Sequence, residues 1–486
     1  MGTIRFGTDG WRAVIAEDFT LGNVERVAQA AADYWRHQPP PGTEPLVVVG
    51  YDRRFLSREF AERVAEVMAG NQLRVILCPD PSPTPSVSFA VRAQRAVGGV
   101  MITASHNPAR FNGFKLKSHF GGSADSATCQ AVESFLDRHP VRSRALPDAR
   151  ADGLVKIQDL RPPHFAAVKR LVDFALISRS RLRLAHDALF GTGAYCFDRL
   201  LAGTTCRVTT LNGVHDPLFG GINPEPVEAN YGPSAAYLRR HPHDLCLVTD
   251  GDADRIGAMD GRGQYISTHQ VICLLLRHLV VRRRGRGRVV KALSTTSMLD
   301  KMCAAYGLEL TETGVGFKYI GAEMVKGGVL LGGEESGGIA FPGHIPERDG
   351  IAGGLMLLEM LATERVPIGK LIARLQREFG PHCYGRKDIH YPLEKRSELM
   401  EFLQCHPPDR LLRSPVVALR AFDGVKFVAQ NSSWLMLRGS GTEPVLRIYA
   451  EAATPAAVEK LLRLGLKLAA NPLPSPGGTR CCCRSS

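Results

Sequence analysis

With 486 residues, the chain exceeds what a single hydrophobic core organises, which predicts three or four domains. Its 44% apolar and 22% charged residues exclude a mostly disordered chain. Lys and Arg number 61 against 48 Asp and Glu, a formal charge of +13 that decides nothing alone, since a small anion fits it as well as nucleic acid does. The densest basic run, Arg282-Arg283-Arg284 with Arg286 and Arg288, lacks interleaved aromatics and reads as a solvated loop before a strand at Val289, so no nucleic-acid partner is expected.

The opening MGTIRFGTDGW has no apolar signal core, and no apolar run approaches the ~20 residues that span a bilayer. A cytoplasmic protein without a membrane partner is expected. Nine of the twelve Cys are scattered through apolar or mixed segments without a repeated CxxC spacing and read as free, mostly buried thiols. The other three, Cys481 to Cys483, sit in a polar tail over 473–486 that is expected to be disordered.

In chain order, the first third reads as a strand over 46–50, a helix ending at Gly70, and strands over 74–78 and 98–104. The second third repeats this with strands over 181–190, 206–211 and 245–249 and a helix ending at Gly203. A third copy has strands over 288–293, 308–313 and 327–333 and a helix ending at Gly307. Strand, Gly-closed helix, strand and strand is βαβ grammar, with Gly expected to supply each left-handed helix stop. After Leu375 the pattern changes to short strands and one C-terminal apolar helix. The predicted fold class is α/β: three similar mixed α/β domains, 1–150, 151–260 and 261–375, plus a smaller α+β domain over 376–472.

In each copy the last strand enters a polar loop, where open α/β sheets place ligands. Ser105, in Thr103-Ala104-Ser105-His106-Asn107-Pro108, is a candidate nucleophile, although Ser, Asn and Pro are also ordinary turn residues. Asp250, Asp252 and Asp254 alternate directly after a strand and would repel one another without a cation among them. The spacing suits Mg²⁺; a structural Ca²⁺ loop stays open, but Gly261 stands where a calcium hand requires Glu. The loop of Glu334 and Ser336 offers acceptors and a hydroxyl suited to a sugar diol. Arg438-Gly439-Ser440-Gly441-Thr442-Glu443 with Arg447 has the composition of a phosphate cradle, a polar hairpin turn being the alternative.

Taken in order, FGTDGWR (6–12), GYDRR (50–54), TASHNP (103–108), NGFK (112–115), DGDADR (250–255), GVGFK (314–318), GEESGG (333–338) and RGSGTEP (438–444) resemble the α-D-phosphohexomutase superfamily over nearly the whole chain. Together with HIPERDGI (344–351), the wording looks closest to bacterial phosphoglucomutase/phosphomannomutase. The resemblance implies four domains around a cleft and a hexose 1-phosphate/6-phosphate mutase, glucose being favoured, acting through a phosphoserine at Ser105 and glucose 1,6-bisphosphate.

It further implies Mg²⁺ on Ser105, Asp250, Asp252 and Asp254. Proton transfer falls by similarity to Arg12, His106 or Lys115. Sugar and phosphate binding falls to Arg255, Lys318, Glu334, Ser336, Arg438, Ser440, Gly441, Thr442 and Arg447. Two positions depart from the pattern: Gly338 where many members carry His, and Gly439 where Pro or Ala is common. Phosphomannomutase, phosphoglucosamine mutase and a noncatalytic phosphosugar-binding protein remain the alternatives, and the oligomeric state is not readable.

Overall fold

The structure, a computed structural model, describes residues 4–7, 10–440 and 444–470. The chain forms two compact units, one of residues 1–290 and 316–371 and the other of residues 291–315 and 372–486.

The three-fold repeat is present in the strand topology. The first sheet holds β1 (Trp11–Val14), β2 (Glu44–Tyr51), β3 (Arg74–Leu77), β4 (Ala96–Ile102), β5 (Phe111–Ser118) and β6 (Val155–Ile157) in the order β1-β5-β4-β2-β3-β6. The second holds β7 (Arg183–Asp187), β8 (Arg207–Leu211), β9 (Leu245–Thr249), β10 (Ile256–Asp260) and β11 (Tyr265–Ile266) in the order β11-β10-β9-β7-β8. The third holds β12 (Arg288–Ala292), β13 (Leu310–Thr313), β14 (Val329–Gly333) and β15 (Ile339–Ala340) in the order β13-β12-β14-β15. In all three, the first strand of the repeat lies between the second and the third. In the first two sheets those neighbours are parallel. An antiparallel strand, β5, β10 or β15, returns beside the third in every copy. That return sets a polar loop between two strands at one end of each sheet: 103–110, 250–255 and 334–338.

Parallel strands covered on both faces read as continuous apolar runs, and β4 shows why its sequence also carries two adjacent glycines. A Cβ on Gly98 would come within 2.5 Å of the Trp35 ring, and one on Gly99 within 2.5 Å of Val91 Cγ2. Trp35 belongs to the helix Leu21–His37 and Val91 to the helix Thr84–Ala93, so the two glycines admit helices on opposite faces.

The helix stops differ from expectation. Gly307 is a left-handed cap at φ 64°, and Gly203 is left-handed at φ 77° but lies two residues past the helix Cys196–Leu201. Gly70 is the last residue of the helix Ser57–Gly70, and Asn71 caps it. What Gly70 supplies is closeness: a Cβ there would lie 2.5 Å from the Arg142 carbonyl oxygen.

The α+β reading of the C-terminal region holds. β16 (Cys383–His390), β17 (Arg410–Leu411), β18 (Ser414–Arg420), β19 (Val425–Ala429), β20 (Trp434–Gly439) and β21 (Val445–Ala452) form one sheet in the order β16-β21-β20-β19-β18-β17. The helix Pro455–Ala470 contributes Val458, Leu461 and Leu462 to its core. Arg282 and its basic neighbours up to Arg284 are exposed. The nine cysteines among the described residues are free thiols, while Cys481 to Cys483 and the rest of the tail lie outside the described residues. Among the described residues, no helix is long and apolar enough to cross a membrane.

Candidate active site

Ser105 follows β4 with its backbone in the left-handed region, φ 53°, and is fully buried. A non-Gly residue persists there only when its surroundings hold it. The restraint is visible atom by atom. The Ser105 N–H donates to Thr103 Oγ1 (2.8 Å), and that hydroxyl donates to Asp52 Oδ2 (2.6 Å). Arg54, also fully buried, donates to the carbonyl oxygens of Ser105 (2.6 Å), Asn107 (2.7 Å), Pro108 (2.8 Å) and Phe111 (2.9 Å). Its Nε reaches Asp52 Oδ2 at 3.1 Å. One guanidinium therefore gathers four carbonyls of the loop, while Asp52 neutralises it and anchors Thr103.

The Ser105 hydroxyl lies 3.1 Å from Asp250 Oδ2, in the loop after β9. Gly251 makes this approach feasible, because a Cβ there would lie 2.6 Å from the Ser105 carbonyl oxygen. Asp250, Asp252 and Asp254 are all fully buried, each with one carboxylate oxygen within 4.8 Å of the others'. Burial, then Asp254 and Asp252, push the Asp250 carboxyl well above the ordinary carboxylate range. Burial also works against Asp252, but Lys115, the Thr84 hydroxyl and Arg348 outweigh it and bring that carboxyl below its usual value. Lys115 Nζ is 2.9 Å from Asp252 Oδ2 and 3.5 Å from Asp254 Oδ2, and Thr84 Oγ1 donates to Asp252 Oδ2 at 2.6 Å.

Two oxygens remain uncommitted. Asp252 Oδ1 and Asp254 Oδ1 are buried and accept no hydrogen bond among the described residues. Buried carboxylate oxygens without partners are expensive, and three such groups beside a hydroxyl form the donor set of a hard divalent cation.

The third loop meets the second through backbone and side chains alike. The Ile256 N–H donates to the carbonyl oxygen of Gly337 (3.0 Å), a left-handed glycine at φ 92°. Arg348 donates through Nε to Asp254 Oδ2 (2.8 Å) and through Nη1 to Glu334 Oε1 (3.1 Å), an oxygen that also accepts from Ser336 Oγ (2.7 Å). Burial raises the Glu334 carboxyl and Glu335 adds to this, against the pull of Arg348. Arg255 Nε lies 3.8 Å from Asp250 Oδ2 and 3.9 Å from Asp254 Oδ1.

Of the proton-transfer candidates, Arg12 Nη1 donates to Asn107 Oδ1 (2.7 Å) in the Ser105 loop. His106 carries a buried Nδ1 without a hydrogen-bond partner among the described residues. Burial, then Arg255, Arg12, Arg348 and Lys115, hold its conjugate acid well below the usual range, so the imidazole is neutral near pH 7. Lys318 does not join this group; its Nζ donates to Ser126 Oγ at 2.8 Å.

Arg438 and Arg447 lie in the second unit, opposite each other across the β20–β21 hairpin. Like charges at facing positions repel. Each is partly answered by an acid: Arg438 Nε is 3.0 Å from Asp423 Oδ1, and Arg447 Nε is 3.6 Å from Asp388 Oδ2. The Ser440 N–H donates to the Val445 carbonyl (2.8 Å) at the hairpin mouth. Gly441 and Thr442 lie outside the described residues. Gly439 leaves room for Arg396, whose Cδ a Cβ would approach to 2.6 Å.

The segment bearing Arg348 is pinned by groups to which the motifs assigned no role. His164 Nε2 (2.7 Å) and His344 Nε2 (2.8 Å) both donate to Asp349 Oδ2, and Asp349 Oδ1 accepts the N–H groups of Ile351 (2.9 Å) and Ala352 (3.0 Å), capping the helix Gly350–Glu364. Burial opposes the Asp349 charge, but His164 and His344 hold the carboxyl far below its ordinary value.

Comparison with known proteins adds an independent line. The sequence matches Phosphoglucomutase/phosphomannomutase alpha/beta/alpha domain I over residues 3–141, domain II over 162–263, domain III over 267–379 and the C-terminal domain over 409–463. It is 28% identical to a phosphoglucomutase/phosphomannomutase of Thermococcus kodakarensis across 95% of this chain and 98% of that one. It is 29% identical to a probable phosphoglucosamine mutase of Methanothermobacter thermautotrophicus across 92% and 94% of the two chains. A crystal structure from Thermus thermophilus, provisionally named a phosphomannomutase, superposes with a TM-score of 0.83 at 36% identity, covering 96% of this chain and 99% of that one. Four family domains in order, together with this near full-length agreement in sequence and fold, show that the chain belongs to the phosphoglucomutase/phosphomannomutase family, within the α-D-phosphohexomutases, and is a phosphohexomutase.

Proposed function

We propose that this phosphohexomutase interconverts glucose 1-phosphate and glucose 6-phosphate through a phosphoserine at Ser105 and enzyme-bound glucose 1,6-bisphosphate. The observation that carries the reading is the Ser105 hydroxyl, held on left-handed backbone 3.1 Å from the buried Asp250, Asp252 and Asp254 loop. A serine so restrained serves as a reversible phosphoryl carrier. In the first half-reaction the P–Oγ bond breaks and a bond forms from phosphorus to O6 of the 1-phosphate, and the O6 proton ends on Oγ. After the bisphosphate turns over, the P–O1 bond breaks, the P–Oγ bond re-forms, and the Oγ proton ends on O1.

Each proton passes through the basic groups around Ser105, with Lys115 and His106 holding it and Arg12 fixing Asn107 and the loop. Mg²⁺ held by Asp250, Asp252, Asp254 and a phosphoserine oxygen would neutralise charge on the transferring group. Glu334 and Ser336 hold the sugar hydroxyls in either orientation, with Arg255 and Lys318 as further contacts to sugar or phosphate. Arg438, Ser440, Gly441, Thr442 and Arg447 hold the phosphate that is not reacting. Glucose is favoured by the wording of 333–338 and 344–351, which looks closest to bacterial phosphoglucomutases.

The test incubates the protein with Mg²⁺, a trace of glucose 1,6-bisphosphate and, separately, the 1-phosphates of glucose, mannose, glucosamine and N-acetylglucosamine, following each 6-phosphate. Glucose is expected to convert fastest, and Ser105→Ala to abolish turnover while melting within about 2 °C of the parent. Preference for another sugar would replace glucose, and normal turnover in Ser105→Ala would remove the phosphoserine.

A further inference from the structure

The first unit contains a second basic site that the phosphohexomutase reaction does not use. A cavity of about 1450 Å³ opens among the segments 176–182, 239–264 and 361–370. Its wall carries Arg179, Arg181, Arg239, Arg262, Arg365 and Lys370. No side chain of these six makes a hydrogen bond or an ion pair with another described residue. The acid beside Arg365, Glu364, is already committed to Arg277 (3.5 Å) and Arg282 (2.7 Å).

Two acids line the same cavity, and both are occupied with backbone. Asp244 Oδ2 accepts the Arg183 N–H (2.7 Å), and Asp260 Oδ1 accepts those of Arg262 and Gln264 (2.9 Å each). The cations therefore outnumber the acids by six to two. Six cations against two carboxylates leave a formal excess of four positive charges around one space, and a low-dielectric wall behind them strengthens their field. The first residues of the helix Ile368–Phe379 also line the cavity, so the positive end of a helix adds to that field.

The opposite character is present too. Leu176, Leu182, Leu361 and Val366 give the cavity apolar wall, which inorganic anions leave unused. The volume exceeds the ~300–1,000 Å³ typical of drug-sized ligands, room enough for several phosphates and an aromatic base together.

The cavity is also remote from Ser105. β9 begins beside Asp244 in the cavity wall and ends at Thr249, next to Asp250, while β10 returns from Ile256 to Asp260 in the wall. The helix Gly350–Glu364 runs from Asp349 to the Arg365 side. Five residues of strand, at ~3.3 Å each, separate the two ends by roughly 16 Å. A ligand in the cavity therefore sits at the opposite end of these strands from the aspartate loop.

The geometry points to a binding site for a nucleoside triphosphate or a closely similar organic polyphosphate, with the phosphates on the six cations and the base against the apolar wall. It is tested by calorimetric titration of the full-length protein with ATP, and separately with inorganic tripolyphosphate, in Mg²⁺-free buffer. Both are expected to bind, ATP the more tightly by about tenfold, and the double variant Arg181→Ala/Arg365→Ala to weaken both by about tenfold or more. Arg438→Ala, which alters the family phosphate loop, should leave ATP affinity unchanged. Both altered cavity side chains are exposed, so the double variant should keep its melting temperature and its sugar-phosphate turnover. Failure of ATP to bind, equal affinity of the double variant, or loss of binding in Arg438→Ala would each overturn the proposal; tripolyphosphate binding as tightly as ATP would overturn its organic part.

Discussion

Asp250 is the residue where stability and activity pull hardest in opposite directions. Its carboxylate is fully buried beside two others, and the cations around the loop, the Arg255 N–H, 3.1 Å from Oδ1, and the Ser105 hydroxyl, 3.1 Å from Oδ2, offset the repulsion. Replacing it with Asn removes one like charge and keeps an acceptor for that N–H. In chelator, Asp250→Asn is expected to melt several degrees above the parent, and in a separate assay with Mg²⁺ its mutase turnover is expected to fall by at least about a hundredfold. A lower melting temperature in chelator would show that the loop is not electrostatically strained. Ser105 and the three aspartates were legible in the sequence because polar residues directly after apolar strands have no packing role. Arg54, Thr84 and Arg348 were not legible as site residues. Thr84 meets Asp252 across 168 positions and Arg348, although it stands in the HIPERDGI run, meets Asp254 across 94, and nothing local marks either contact.

Among elements, the loop 341–349 illustrates how one cap organises a neighbourhood. Asp349 ends that loop, begins the helix Gly350–Glu364 and bonds two histidines, one of them from the distant helix Arg161–Arg170. Asp349→Ala removes the cap, worth about 1 kcal/mol, and leaves two buried imidazoles without their acceptor, for a combined loss on the order of 3–5 kcal/mol. Asp349→Asn retains the Oδ1 acceptor and should lose markedly less. Thermal melts of the two variants decide this, and equal losses would remove the cap from the explanation. The succession of strand, helix, strand and strand was readable as a repeat because each copy carries apolar runs in the same order along the chain. The role of Gly70 was not, since its constraint is a close approach to Arg142, and no local pattern encodes a contact made 72 positions away.

At the scale of the whole molecule, acid sensitivity follows from what the first unit buries. His186 sits inside it with Nε2 3.0 Å from Thr249 Oγ1 and its ring against Phe197, and burial pushes its conjugate acid down to about 3. The unfolded chain binds that proton near pH 6.5 and the folded chain does not. This stability is therefore complete above pH ~6.5 and falls by about 1.4 kcal/mol per unit as pH drops toward 3. Between pH 7 and pH 5, His186→Gln should lose about 2 kcal/mol less than the parent in the unfolding of this unit; parallel curves would contradict the assignment. Asp349 adds a separate loss at lower pH, because its depressed carboxyl stabilises the fold only while ionised.

The division of the chain into two units has a consequence for its birth on the ribosome. The second unit is built from residues 291–315 and from residues 372 onward, with 316–371 returning to the first unit. Residues 291–315 therefore emerge early and must wait while 56 residues belonging elsewhere are synthesised, on the order of 3–11 s at ~5–20 residues per second. Leu299, Met302 and Cys303, all buried in the finished protein, spend that interval without their final surroundings. The nascent chain thus passes through a stage at which its first unit is nearing completion while a short apolar segment of its second is exposed, the stage at which a chaperone has most to hold.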